Sequence, residues 1–138
     1  MQNQTNKSVL AIDYGDKRVG IAIASFVARL ASPLTTLDNT ENLVNDIKSL
    51  IDRENVGLLV VGYPRGLDGQ VTEQTTKVDQ FIDRLETLGL DIVRQDESLT
   101  SVNALTELNK KGNNYTKADV DALAATYILE DYLSISER

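Results

Sequence analysis

SVLAIDYGDKRVGIAIAS, residues 8–25, contains two short apolar runs, 8–13 and 19–25, around the polar pentapeptide Tyr14-Gly15-Asp16-Lys17-Arg18. A polar stretch of that length between strand-like runs reads as a hairpin turn, so the chain is expected to open with two antiparallel strands. A third strand is expected over 29–37, where Pro33 points to an edge or a bend because proline cannot donate to a ladder. Beyond it the pattern changes. Leu43, Val44, Ile47, Leu50 and Ile51 recur at helical spacing within 41–54, and Asn39 or Thr40 can cap that helix. VGLLVVG at 56–62 is continuously apolar, as in a strand buried on both faces of a parallel sheet. Val78, Phe81, Ile82, Leu85 and Leu88 again repeat helically ahead of Gly89, a residue suited to ending a helix. A strand at 91–96, a helix at about 99–110, a polar loop over 111–115 and a helix at 118–133 complete the chain. The order β-β-β-α-β-α-β-α-α predicts an α/β fold with a mixed five-stranded sheet and helices on both faces.

With 138 residues, 41% of them hydrophobic, the chain is expected to form one domain over 1–138, its ends at 1–7 and 134–138 flexible. There is no cysteine and no histidine, which excludes disulfides, thiolate metal sites and imidazole catalysis. Acid–base or metal chemistry must run on carboxylates, lysine, tyrosine, hydroxyls or water, and these donors favour hard cations such as Mg²⁺ or Mn²⁺. The polar residues 1–8 lack a signal-peptide apolar core, and no segment approaches the roughly 18 apolar residues of a membrane span. A cytoplasmic protein without a membrane partner is therefore expected. The formal net charge of −7 argues against indiscriminate binding to nucleic acid, so any such site must be a local basic patch.

Asp13 follows Leu10-Ala11-Ile12 at a strand end, where a carboxylate is costly unless it is paired or metal-bound. Glu97 follows the last strand, and strand ends are where α/β proteins place ligand sites. Either residue alone could be a surface acid. Thr116 and Asp119 have the spacing of a capping box, which gives Asp119 a structural task. Asp121 instead shares a helix face with Ala124, Ala125 and Ile128, and small residues there allow the helix to approach the sheet. Its bland alternative is a second acid compensating the helix dipole. Carboxylates gathered at one point repel each other, and divalent cations between them make the arrangement tolerable while activating water for phosphodiester cleavage.

Residues 11–22, AIDYGDKRVGIA, strongly resemble the opening motif of the YqgF family, also called RuvX-like, of Holliday-junction resolvases and pre-16S ribosomal RNA processing nucleases. Ala31-Ser32-Pro33-Leu34, Val61-Gly62-Tyr63-Pro64 with Gly66 and Gly69, Asp96-Glu97 with Thr100-Ser101, and residues 120–125 match the family in order, from about Val9 to Leu133. The resemblance implies a ribonuclease H-like fold and a metal site at Asp13, Glu97 and Asp121, with Mg²⁺ or Mn²⁺ as cofactor. Two departures stand out: Ser98 where the family often has Arg, and Ser25 where it often has Asp.

The resulting expectation is a metal-dependent nuclease processing the 5′ end of pre-16S rRNA, with a resolvase of four-way DNA as the first alternative. A nucleic-acid-binding ribosome-assembly factor with a vestigial site is the non-enzyme alternative. Lys17, Arg18, Arg65, Thr100, Lys110 and Lys111 are the expected nucleic-acid contacts, with Lys117 nearby and Tyr115 able to stack on a base. The glycine-containing loop 63–69 can approach phosphate through its amides. A nucleotide-dependent sugar kinase also opens on Asp-x-Gly, but it needs a second domain that 138 residues cannot hold, and no P-loop sequence is present. A resolvase would work as a two-fold dimer, so the expected state is a monomer or homodimer.

Overall fold

The computed structural model describes residues 7–64, 72–97 and 116–135. Five strands, β1 (Ser8–Tyr14), β2 (Arg18–Ser25), β3 (Ser32–Asp38), β4 (Val56–Tyr63) and β5 (Asp91–Asp96), form one sheet in the order β3-β2-β1-β4-β5. β1, β2 and β3 pair antiparallel, whereas β4 and β5 run parallel to β1. Among the described residues three helices pack on it: α1 (Leu43–Glu54), α2 (Glu73–Leu85) and α3 (Lys117–Ile135). This is the mixed sheet with helices on both faces that the residue pattern predicts.

Strand alternation sorts the core into two unlike layers. Leu10, Ile12, Val19, Ile21, Leu59 and Val61 point to the α1/α2 face and pack with Phe81, Ile82 and Leu85. Val9, Ala11, Ala22, Ala24 and Val60 point the other way, against Ala125, Ile128 and Leu129 of α3. Large side chains thus hold α1 and α2 off the sheet, while small ones let α3 settle close to it. Each fully buried Leu, Ile or Phe stabilises by about 1.5–3 kcal/mol, so the α1/α2 layer carries most of the apolar stabilisation. The α3 layer instead sets a distance.

The hairpin connecting β1 and β2 is pinned from three sides. Asn39 Nδ2 donates to the Gly15 carbonyl at 2.7 Å, and its backbone N–H donates to the Lys17 carbonyl at 2.9 Å. Tyr14 stacks on Phe81 with ring centroids 4.3 Å apart, and Gln74 Nε2 donates to the Tyr14 carbonyl. An exposed Lys77–Asp16 ion pair closes the third side.

Several boundaries differ from the sequence-based expectation. β3 begins at Ser32 rather than 29, because 26–28 form a turn in which the Ala28 N–H donates to Ser25 Oγ, and Arg29 takes a left-handed backbone. β3 is an edge strand, with Pro33 at a register shift. α1 starts at Leu43 without a side-chain cap, since Asn39 is committed to the hairpin and Thr40 Oγ1 accepts from the Asn42 N–H outside the helix. Gly89 ends the α2 segment in a left-handed conformation, after a 3₁₀ turn at 86–88. α3 continues to Ile135, past the expected end at 133. The expected helix at 99–110, the loop at 111–115 and most of the 63–69 loop lie outside the described residues. Among the described residues no helix is long and apolar enough to cross a membrane.

Candidate active site

The parallel strands β1, β4 and β5 share one direction, so their C-terminal ends lie at one edge of the sheet, and the candidate site assembles there. Asp13 is the next-to-last residue of β1, and by alternation with Val9 and Ala11 it lies on the α3 face. Its partner across the ladder is Gly20 of β2. The backbone of α3 rests on that glycine: a Cβ at Gly20 would overlap the Asp121 carbonyl, with Ala122 N only 3.0 Å away. A glycine inside a strand often marks such a close approach. Asp121, 108 residues beyond Asp13 in sequence, is thereby placed beside it.

The first turn of α3 is fixed by a reciprocal cap, in which the Thr116 N–H donates to Asp119 Oδ2 and the Asp119 N–H donates to Thr116 Oγ1, both at 3.1 Å. This is the capping box expected from the sequence, and it leaves Asp121 free of any capping task. Thr36 Oγ1 of β3 donates to the Ala118 carbonyl, tying the same turn to the sheet.

Glu97 arrives from β5, its N–H donating to the Tyr63 carbonyl at 3.4 Å. A Cβ on Gly62 would lie 3.5 Å from Glu97 Cγ and 2.5 Å from Ile128 Cδ1. Gly62 thus makes room both for α3 and for the acid.

Electrostatics join the three. Burial, followed by the charges of Glu97 and Asp121, pushes the Asp13 carboxyl up from 3.8 to about 7. Glu97 is exposed as a residue, yet its carboxyl is also raised, by desolvation where it lies over the sheet edge. Asp121 has a cationic partner: Arg18 Nε donates to its Oδ2 at 2.6 Å. Among the described residues no group of three or more acids is drawn together tightly enough to ligate one ion. The three carboxylates therefore share an electrostatic field without forming a closed ligand cage. Their chemistry suits a hard divalent cation, because all donors are carboxylate oxygens and their mutual repulsion is what a cation relieves.

Of the expected nucleic-acid contacts, Lys17 is exposed on the hairpin beside the site, and Arg18 is engaged with Asp121. Arg65, Thr100, Lys110 and Lys111 lie outside the described residues, as do Ser98 and Tyr115. Gly20 and Gly62 are the positions that reading by residue type passed over as site determinants, although glycine within a strand was the available signal. Two surface cavities, of about 510 and 430 Å³, lie along α3, but none of the three acids lines either of them.

The chain is similar to known proteins both in sequence and in three dimensions. A protein of Fusobacterium nucleatum named "Putative pre-16S rRNA nuclease" is 36% identical over 137 residues, covering 95% of this chain and 99% of the relative. One of the same name from Crocosphaera subtropica is 41% identical, covering 91% and 92%. In three dimensions the chain is similar to Thermus thermophilus RuvC in complex with a Holliday junction substrate, with a TM-score of 0.59 at 13% identity, covering 94% of this chain and 96% of RuvC. It is also similar to the fowlpox virus Holliday junction resolvase, with a TM-score of 0.54 at 16% identity, covering 93% and 98%. The sequence model of the RuvX family, described as Holliday junction resolvase, matches residues 7–135. That match takes in Asp13, Gly20, Gly62, Glu97 and Asp121 alike, and the chain belongs to the RuvX family.

Proposed function

We propose that this chain is a divalent-metal-dependent nuclease that hydrolyses phosphodiester bonds of a ribosomal RNA precursor, at the 5′ end of pre-16S rRNA. The observation that carries the reading is the convergence of Asp13, Glu97 and Asp121 at one sheet edge, with Asp13 lifted to about 7 by burial and by the other two. Relatives named as pre-16S rRNA nucleases, similar over almost the whole chain, support the choice of RNA. Asp13, Glu97 and Asp121 would hold the cation, Mg²⁺ or Mn²⁺. When bound, such an ion supplies water activation and stabilisation of the leaving oxygen. The remaining roles belong to the chain: Gly20 and Gly62 set how closely α3 and Glu97 approach Asp13. Lys17 offers phosphate a positive charge, joined in this reading by Arg18, Arg65, Thr100, Lys110 and Lys111.

Protons compete with the cation at Asp13. Mn²⁺ affinity, measured by calorimetry, should therefore rise about tenfold per pH unit up to about pH 7 and level off above it. An affinity flat between pH 5 and 7 would remove Asp13 from the ligand set.

A second reading, resolution of four-way DNA junctions, is favoured by the description of the family model. One experiment separates the readings: the purified chain is incubated with labelled pre-16S RNA and with a labelled four-way junction, each with Mn²⁺ and with excess chelator. Metal-dependent cleavage of the RNA alone is the expected result. Paired cuts in the junction alone would select the second reading. Binding to RNA without cleavage would point to an assembly factor, and cleavage undiminished in chelator would end the metal assignment.

A further inference from the structure

We propose that Arg18 is a latch on the cation site: it neutralises Asp121 in the metal-free protein and must release that carboxylate before a divalent cation can be held by all three acids. The proposal rests on the cation-site reading above. Arg18 lies on β2 two residues before Gly20, so both face α3. Because the helix backbone rests on Gly20 at Asp121, that carboxylate lies within reach of the Arg18 side chain two residues away on the same face. The contact at 2.6 Å joins residues 103 apart in sequence, so it exists only when α3 is docked. Lys77 of α2 is paired with Asp16 of the hairpin.

Two observations fit one arrangement. Among the described residues no three acids are gathered tightly enough to ligate an ion, and the acid that arrives from α3 is held by a guanidinium. The side chains of the pair are 34% and 27% exposed, so water reaches both partners. Ion pairs of that exposure are weak, and a divalent cation flanked by Asp13 and Glu97 can outcompete one. The alternative is a permanent brace, with Arg18 keeping Oδ2 while the cation takes Oδ1. The two differ in sign: removing a latch strengthens cation binding, whereas removing a brace weakens it.

The test is Mn²⁺ titration calorimetry on the full chain, with thermal unfolding in chelator and in saturating Mn²⁺. Arg18→Met keeps the alkyl stem and removes the donor, and it should bind Mn²⁺ about two- to tenfold more tightly. Its Tm should fall in chelator but match the parent in Mn²⁺, so that the metal-induced rise is larger. Lys17→Met removes the same charge one residue away and should change affinity by less than about twofold, because an exposed charge is screened. In an Asp121→Asn background Arg18→Met should have no effect. If Arg18→Met does not fold, Arg18→Lys replaces it and should show a smaller tightening. Weaker or unchanged binding by the Arg18 variants would overturn the latch, as would a gain from Lys17→Met of equal size. Failure of the parent chain to take up Mn²⁺ would instead overturn the cation site, and the latch with it.

Discussion

Gly20→Ala should cost about 3 kcal/mol or more of stability and leave the surviving folded protein without measurable cleavage. The new methyl would meet backbone rather than a flexible side chain, since the Asp121 carbonyl and Ala122 N occupy its place. Overpacking usually costs about 1–3 kcal/mol when neighbours can yield. Here the neighbour is the first part of α3, tied down by the Thr116–Asp119 cap and by the Thr36 bond to Ala118. α3 must lift from the sheet, and Asp121 moves with it, away from Asp13. Gly57→Ala is the internal control: its Cβ would meet the Lys7 stem at 2.7 Å, and that side chain can swing aside. Thermal unfolding and cleavage of both variants check the claim. A Gly20→Ala protein as stable as Gly57→Ala would show that α3 does not need this close approach.

Asp13→Asn and Asp121→Asn should both lower cleavage by about a thousandfold or more, yet move stability in opposite directions. Asp13 carries a desolvated carboxyl whose pKa is raised to about 7, and its charged form weakens the fold. The sign follows from proton counting. Between about pH 4 and 7 the folded state keeps the Asp13 proton that the unfolded chain has released, so stability is lost as pH rises through this window. The raised Glu97 acts in the same direction. In chelator at pH 8, Asp13→Asn should therefore gain about 1–3 kcal/mol, and the gain should vanish near pH 4. Asp121→Asn should not share it. Relief of repulsion alone would make that variant more stable too, but the ion pair with Arg18 reverses the expectation, and a loss of up to about 1 kcal/mol follows. Unfolding curves in chelator at pH 4 and pH 8 decide it. Equal gains for both variants would mean that Arg18 does not hold Asp121.

Periodicity and composition by themselves determined the mixed α/β architecture, because alternation in 8–25, the apolar run 56–62 and the helical repeats around Leu43 and Phe81 each report a local geometry. They also determined that any metal chemistry rests on carboxylates, since cysteine and histidine are absent. The capping box at Thr116 was legible for the same reason: its partners are three residues apart. The boundary at 39–43 was not, because Asn39 bonds to Gly15, 24 residues away, which only the folded chain brings near. At Ser25 and Thr40 the bonds from the Ala28 and Asn42 N–H groups are local turns that interrupt the strand and delay the helix, and hydrophobic periodicity does not report them. At the candidate site, sequence position nominated Asp13, Glu97 and Asp121 separately. Only the tertiary structure set α3 on Gly20, put Glu97 over Gly62 and turned Arg18 from a surface cation into the partner of Asp121. Spacing along a strand or helix is written in consecutive residues, whereas the contact between Arg18 and Asp121 depends on how closely two layers approach, which is set where Gly20 meets the backbone of α3 and where Ala11, Ala22 and Ala24 face Ala125.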